Sequence, residues 1–445
     1  MSNIKIIRNY LKEFLKDFIP NYDNRYGKIH NIVYGEKTKN GLPTGEMAIK
    51  FYVDRKLPLS ILPQNKIIPK NINIKNISVL TDVEDVKLRM KALDTCFDTD
   101  PAIQPVKANQ VKRRPLQGGA SSIGTYPLNT DATLGIFARD LTDGSVVAVS
   151  NNHVYTDGMV YPSQGPVGFF AQEKNNLYQM SATQPGNPIY NTYATTTSGD
   201  LIGTVKRTVP FNIASTQNFV DVAIVSLTGY DLIDVDISGK IINFKANPPF
   251  MWATEDEIDS LLDPASINYG APLFRSGRTL GPLGSPGSEY NCIFTCNNNS
   301  CYGLCATGIY NGYVGYGYII DYNVWFTDTI IYQSVNKNFP PTAGGDSGTA
   351  VFALMSSISA SLSAWKFIGL NFAGTQPTDD GIGLICRADY IKTLIEIGPW
   401  DLKLPELSSK TNRPYLSYPY TEDLFLILSG RKHYVIGKEE YANQY

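Results

Sequence analysis

The chain has 445 residues, more than one hydrophobic core usually organises, so two or three domains are expected. Thirty-nine Lys+Arg against 41 Asp+Glu leave a net charge of −2, which excludes the strongly basic surface that a nucleic-acid backbone requires. No run of about 18 apolar residues offers a membrane-spanning helix. Charged residues at only 18%, with 37 Gly, 27 Pro and 28 Tyr, fit many short strands and turns, so the chain reads as mainly β.

Ile7, Tyr10, Leu11, Phe14, Leu15, Phe18 and Ile19 recur at three- and four-residue steps, which predicts an amphipathic helix ended by Pro20. Its polar face mixes both charge signs, so core or intersubunit packing is expected, and a homo-oligomer is compatible with it. The same charges interrupt the apolar centre that a secretory signal needs, so a cytoplasmic or virion-associated protein is expected. Ile32-Val33-Tyr34-Gly35 and the run Met47 to Val53, separated by a Gly/Pro turn, predict a hairpin. Together these make an α+β domain over 1–108, ending at the basic stretch Lys107 to Pro115.

From 109 to 398 short apolar runs alternate with Gly, Pro, Asn and Asp, which predicts an all-β domain. Leu134 to Arg139 and Ser145 to Ser150 flank Asp143-Gly144, a favoured hairpin turn. A helix is expected from Asp389 to Ile397, with Ile391, Leu394 and Ile395 on one side and Pro399 after it. Residues 399–445 form an aromatic-rich tail with one strand expected at Leu424 to Leu428.

Ala343-Gly344-Gly345-Asp346-Ser347-Gly348 is a glycine-lined loop that presents one serine and then enters an apolar strand. A serine hydroxyl becomes a nucleophile only with a base in reach, an orienting group behind that base, and N–H donors for the developing oxyanion. The amides of Gly345 and Ser347 suit the last task. The protein has three histidines; His30 lies in the leading segment and His433 in the tail, whereas His153 follows the strand Val146 to Val149 and is the candidate base. Asp221 opens the apolar run Asp221 to Leu227 and is the candidate orienting carboxylate. Each of these residues taken alone reads more simply as a turn serine, a strand-end histidine or a strand-start cap; their order in the chain favours the joint reading.

Ser150-Asn151-Asn152-His153-Val154, Val220-Asp221-Val222-Ala223-Ile224 and Gly345-Asp346-Ser347-Gly348 resemble the three active-site boxes of trypsin/chymotrypsin-like serine peptidases, in that family's order. Tyr52 to Pro58, Ile68-Pro69, Thr81-Asp82-Val83, Leu134-Gly135 and Ser276 to Gly281 resemble the bacterial and phage members with a small preceding domain, so the likeness covers roughly 30 to 398. The resemblance implies a double antiparallel β-barrel with the site in its cleft, Ser347 as nucleophile, His153 as general base, Asp221 as orienting group, and hydrolysis of protein or peptide substrates without a catalytic cofactor. It places Pro341 six residues before the nucleophile, where basic-specific members carry an acid, so a small or apolar preference is expected. It also makes Asn371, Phe372 and Ala373 part of a substrate-binding strand. In activated relatives the aspartate before the serine pairs with a freed amino terminus; here Asp346 either finds another partner or the preceding domain is cleaved, with Arg113-Arg114 as one nick site. The competing reading is a silent or self-processing scaffold in virion assembly.

Cys292, Cys296, Cys301 and Cys305 follow a C-x3-C-x4-C-x3-C spacing that is compatible with a structural zinc, with two disulfides or with unlinked thiols.

Overall fold

The structure, a computed structural model, describes residues 3–18, 29–39, 42–85, 90–92, 109, 116–124, 131–155, 176–178, 201–209, 211, 217–227, 241–242, 251–283, 303–316, 322–334, 341–357, 360–375, 381–399, 424–428 and 431–436. Helix α1 (Asn3–Phe18) is followed by the hairpin β1 (Ile29–Lys39) and β2 (Leu42–Val53), then β3 (Asn71–Ile74), β4 (Ile77–Asp85) and the three-residue β5 (Met90–Ala92). Next come β6 (Ser121–Gly124), β7 (Asp131–Thr133), β8 (Ile136–Asp140), β9 (Val146–Ser150), the single turn α2 (Asn152–Tyr155), β10 (Asn176–Tyr178), β11 (Leu201–Thr208) and β12 (Ala223–Leu227). The chain continues through β13 (Met251–Trp252), α3 (Glu255–Ser260), β14 (Pro272–Gly277), β15 (Gly281–Leu283), β16 (Leu304–Tyr316), β17 (Tyr322–Ser334), β18 (Ala350–Ser357), β19 (Ala360–Gly374) and β20 (Ile382–Arg387). It ends in α4 (Ala388–Leu394), β21 (Ile397–Gly398), β22 (Leu424–Leu428) and β23 (Arg431–Ile436).

Strands dominate, as the composition predicts. β14, β18, β19, β20, β17 and β16 pair antiparallel in that order, and β16 returns to β14, so these six strands close on themselves. The closing contact is short, Pro272 and Leu273 opposite Cys305 and Leu304, so the rest of that edge of β16 is left for other strands to pair with. The other large sheet is antiparallel in the order β21-β8-β9-β12-β11-β10-β6-β7. Both faces of its central strands are buried. Ile136, Ala138, Val147, Val149 and Ile224 join the main core, while the alternate residues Phe137, Val146, Ala148, Ala223 and Val225 pack on Leu116, Val154 and Tyr155 in a second one.

The leading segment is continuous with the closed ring: β1 pairs antiparallel with β16, Val33 opposite Tyr310, and β2 and β4 extend the sheet outward. Helix α1 buries Ile7, Leu11 and Leu15 of the predicted pattern, together with Ile4 one turn before it, and its Arg8 is also buried. Arg8 forms a bidentate pair with Asp328 at 2.7 and 2.5 Å and bonds Asp259, which also accepts from Arg387 at 3.0 Å. Pro20 lies outside the described residues.

The helix expected from Asp389 to Ile397 is shorter. Ile391 and Ile395 are buried, but Leu394 is exposed, Glu396 takes φ +55°, and Ile397 joins a strand opposite Asp140. Pairing with β8 outweighs the last helical turn. The strand expected at Leu424 to Leu428 is β22, paired with β23. No helix among the described residues is long and apolar enough to cross a membrane.

Candidate active site

β9 and β12 run antiparallel with Ser150 opposite Ala223, so the end of one strand lies beside the start of the other. That register brings His153, in the turn after β9, to Asp221, just before β12. His153 Nδ1 is 2.6 Å from Asp221 Oδ2. The other carboxylate oxygen, Oδ1, accepts from the backbone N–H groups of Asn152 (2.7 Å) and His153 (3.1 Å). Asn151 Nδ2 donates to the Asp221 carbonyl at 2.7 Å. The two asparagines before the histidine therefore belong to the clamp on the aspartate.

Ser347 reaches the same place from the other sheet, in the turn that precedes β18. Its Oγ lies 3.0 Å from His153 Nε2, and all three side chains are buried. Thr133 stitches the serine loop to the first sheet: its N–H donates to the Ser347 carbonyl (2.8 Å) and its hydroxyl to the Gly345 carbonyl (2.9 Å). Ser150, one turn before His153, donates to the Thr133 carbonyl at 2.7 Å. Gly345 and Gly348 both take φ +86°, the left-handed region open to glycine. At Gly348 space is also decisive, because a Cβ there would come within 1.8 Å of Ser150 Oγ.

Asp346 points away from the serine into the protein, where it is completely buried. Arg275 Nη1 lies 3.0 Å from its Oδ2, and Oδ1 accepts from the N–H groups of Thr279 (2.8 Å) and Leu280 (3.3 Å). Gly277 makes room for this pair, since a Cβ there would meet Asp346 Oδ1 at 2.4 Å and Arg275 Nη1 at 2.8 Å. The partner left open by the sequence is thus an internal arginine, in the run Pro272-Leu273-Phe274-Arg275 where its charge has to find an anion.

Asp221 has a further donor that the sequence did not disclose. Tyr316, the last residue of β16, donates its hydroxyl to Asp221 Oδ2 at 3.0 Å, and its ring stands edge-on to His153 with centroids 5.5 Å apart. Phe211, Phe326 and Phe372 continue the aromatic contact from Tyr316 into the core. Cys386 lies behind Asp221, its sulfur accepting the Asp221 N–H at 3.1 Å; burial, then the nearby carboxylate, push its thiol well above the ordinary range. Tyr316 was legible only as one tyrosine in a Tyr/Gly-rich strand, because nothing local marks which hydroxyl turns inward.

Of the residues expected to meet substrate, Asn371 is buried and engaged with the serine loop. Its Nδ2 donates to the Asp346 carbonyl (3.0 Å) and Thr342 Oγ1 (2.8 Å), and its Oδ1 accepts from Tyr332 (2.8 Å). Its backbone binds Thr349 and Gly348. Phe372 packs in the core on Phe326, and Ala373 pairs with Leu384. Pro341 is buried, its carbonyl accepting from Tyr332 at 3.3 Å. His30 bonds Asp54, and His433 sits in β23 opposite Leu426. Cys292, Cys296 and Cys301 lie outside the described residues; Cys305 is buried in β16. Arg113 and Arg114 also lie outside them.

No family model matches the chain, and no curated protein is similar to it. Among solved structures it is similar to one titled alpha-lytic protease homolog N4, with 10% identity and a TM-score of 0.32, over 64% of this chain and 98% of that one.

Proposed function

We propose that this chain is a serine endopeptidase that cleaves peptide bonds through an acyl-enzyme, in the manner of trypsin- and chymotrypsin-like enzymes. The observation that carries the reading is the unbroken line from Ser347 Oγ to His153 Nε2 (3.0 Å) and from His153 Nδ1 to Asp221 Oδ2 (2.6 Å). An ionised Asp221 favours the imidazole tautomer with its proton on Nδ1, leaving the Nε2 lone pair for the serine hydroxyl. As Ser347 Oγ attacks the scissile carbonyl, His153 takes its proton and Asp221 steadies the resulting imidazolium. His153 then protonates the leaving amine. A water molecule repeats the sequence in reverse to free the acid and restore the hydroxyl.

The amides of Gly345 and Ser347 are the donors for the oxyanion, each such donor contributing about 10²–10³ in rate. The loop that carries them is braced by Arg275 through Asp346, by Thr133 and by Asn371. Because Arg275 is internal, the loop needs no freed amino terminus to hold this shape.

The test is a fluorophosphonate probe with mass mapping, alongside hydrolysis of denatured casein. Ser347 is expected to be the labelled residue, Ser347→Ala to lose both signals, and His153→Ala to lose nearly all labelling. Casein hydrolysis that persists in Ser347→Ala, or equal labelling of the His153→Ala protein, would overturn the reading.

A further inference from the structure

β5 is three residues long, yet it is bonded on both edges. It pairs antiparallel with β19, Ala92 opposite Ala373 and Lys91 opposite Gly374, and parallel with β16, Met90 opposite Val314 and Lys91 opposite Gly315. Both partners lead directly to the candidate site. Gly315 precedes Tyr316, whose hydroxyl bonds Asp221, and Ala373 lies two residues after Asn371, which holds the serine loop. A piece of extended backbone from the leading segment therefore fills a trough, one wall of which leads to Asp221 and the other to the Ser347 loop.

Without β5, the backbone groups of Val314, Gly315, Ala373 and Gly374 that now face it would form two open edges, the kind of template on which an extended peptide adds as a strand. Met90 and Ala92 are 2% and 8% exposed and, two residues apart, share one face of the strand. The trough so occupied suits an unfolded polypeptide with apolar or small side chains at these alternate positions.

We infer that Met90–Ala92 is a resident occupant of the peptide-binding trough, so that the intact chain holds off its own substrates until this strand is displaced. The inference rests on the peptidase reading for its consequence, but the occupancy can be tested by binding alone. The full chain carrying Ser347→Ala is compared with the same chain carrying Lys91→Pro as well, which removes an N–H from the strand. The probe is a fluorescein-labelled hexapeptide of this chain's own sequence 87–92. At least tenfold tighter binding to the double variant is expected; unchanged or weaker binding by a folded double variant overturns the inference.

With Ser347 intact, Lys91→Pro is expected to raise turnover of unfolded casein at least fivefold and to leave hydrolysis of a small activated ester within twofold. An ester-active variant with unchanged casein turnover counts against the resident strand, whereas no ester turnover or phosphonate labelling in either protein sinks the peptidase reading instead. If Lys91→Pro does not fold, Ala92→Cys with Ala373→Cys joins the register partners by a disulfide. Casein turnover is then expected to rise at least fivefold on reduction. Equal turnover of the oxidised and reduced forms refutes the proposal.

Discussion

Arg275 and Asp346 face each other in the interior, guanidinium nitrogen to carboxylate oxygen at 3.0 Å, both without exposure to solvent. This pair ties the strand β14 to the loop that carries Ser347. Replacing Arg275 by Met would leave a buried carboxylate facing an apolar side chain, a change that costs about 3–5 kcal/mol when one partner of a buried pair is removed. The expected outcome is a lower thermal midpoint and loss of fluorophosphonate labelling at Ser347 even at temperatures where the protein is folded by circular dichroism. Full labelling of a folded Arg275→Met protein would show that the pair does not shape the loop.

Gly348→Ala is expected to be far more damaging than its single carbon suggests. The backbone there is at φ +86°, and the new Cβ would press within 1.8 Å of Ser150 Oγ and 2.4 Å of the Thr133 carbonyl. Gly45 supplies the control, because it has φ +79° but nothing within 4 Å of its Cβ position. Gly45→Ala should cost about 1 kcal/mol from backbone conformation alone, whereas Gly348→Ala should also abolish labelling of Ser347. Similar stability and labelling in both variants would refute the packing argument.

Tyr316→Phe removes one donor from the carboxylate that orients His153 while keeping the ring that stacks edge-on against the imidazole. A hydrogen bond to a charged group contributes about 1.5–3 kcal/mol, and part of that is expected to appear in the transition state as a roughly 5- to 30-fold fall in kcat. KM for a short ester should stay near its original value, since the hydroxyl bonds Asp221 rather than substrate. Steady-state kinetics of the two proteins decide the matter: a raised KM with unchanged kcat would assign Tyr316 to binding.

Acid should weaken the fold through two buried carboxylates. Burial alone would raise Asp328, but the charges of Arg8 and Arg387 outweigh it and hold the carboxyl well below its ordinary 3.8. Burial of Asp140 is likewise outweighed, by hydrogen bonds from Arg207 and Lys206, leaving it at about 2. A carboxyl lowered on folding stabilises the protein above its unfolded pKa, near 3.8, and that contribution disappears as pH falls through the folded value. Urea midpoints should therefore drop between pH 5 and pH 2. Arg8→Met should lose about 3–5 kcal/mol at neutral pH and show a smaller acid-dependent drop, because Asp328 is then protonated more readily. An acid drop of the same size in both proteins would remove Asp328 from the explanation.

Features that depend on near neighbours are written locally along the chain. The three- and four-residue apolar steps specify α1, Asp143-Gly144 between two apolar runs specifies the β8–β9 hairpin, and the scarcity of histidine singles out His153 beside a glycine-lined Ser347 and a strand-entry Asp221. Distant groups meet only through the fold. Tyr316 reaches Asp221 across 95 residues, Arg275 reaches Asp346 across 71, and Arg8 reaches Asp328 across 320. The same holds for β1 against β16 and for Met90–Ala92 between β16 and β19. The reason is physical: periodicity and turn chemistry reflect torsions and side-chain direction within a few residues, whereas these contacts depend on strand register and ring closure, which only the packed whole selects.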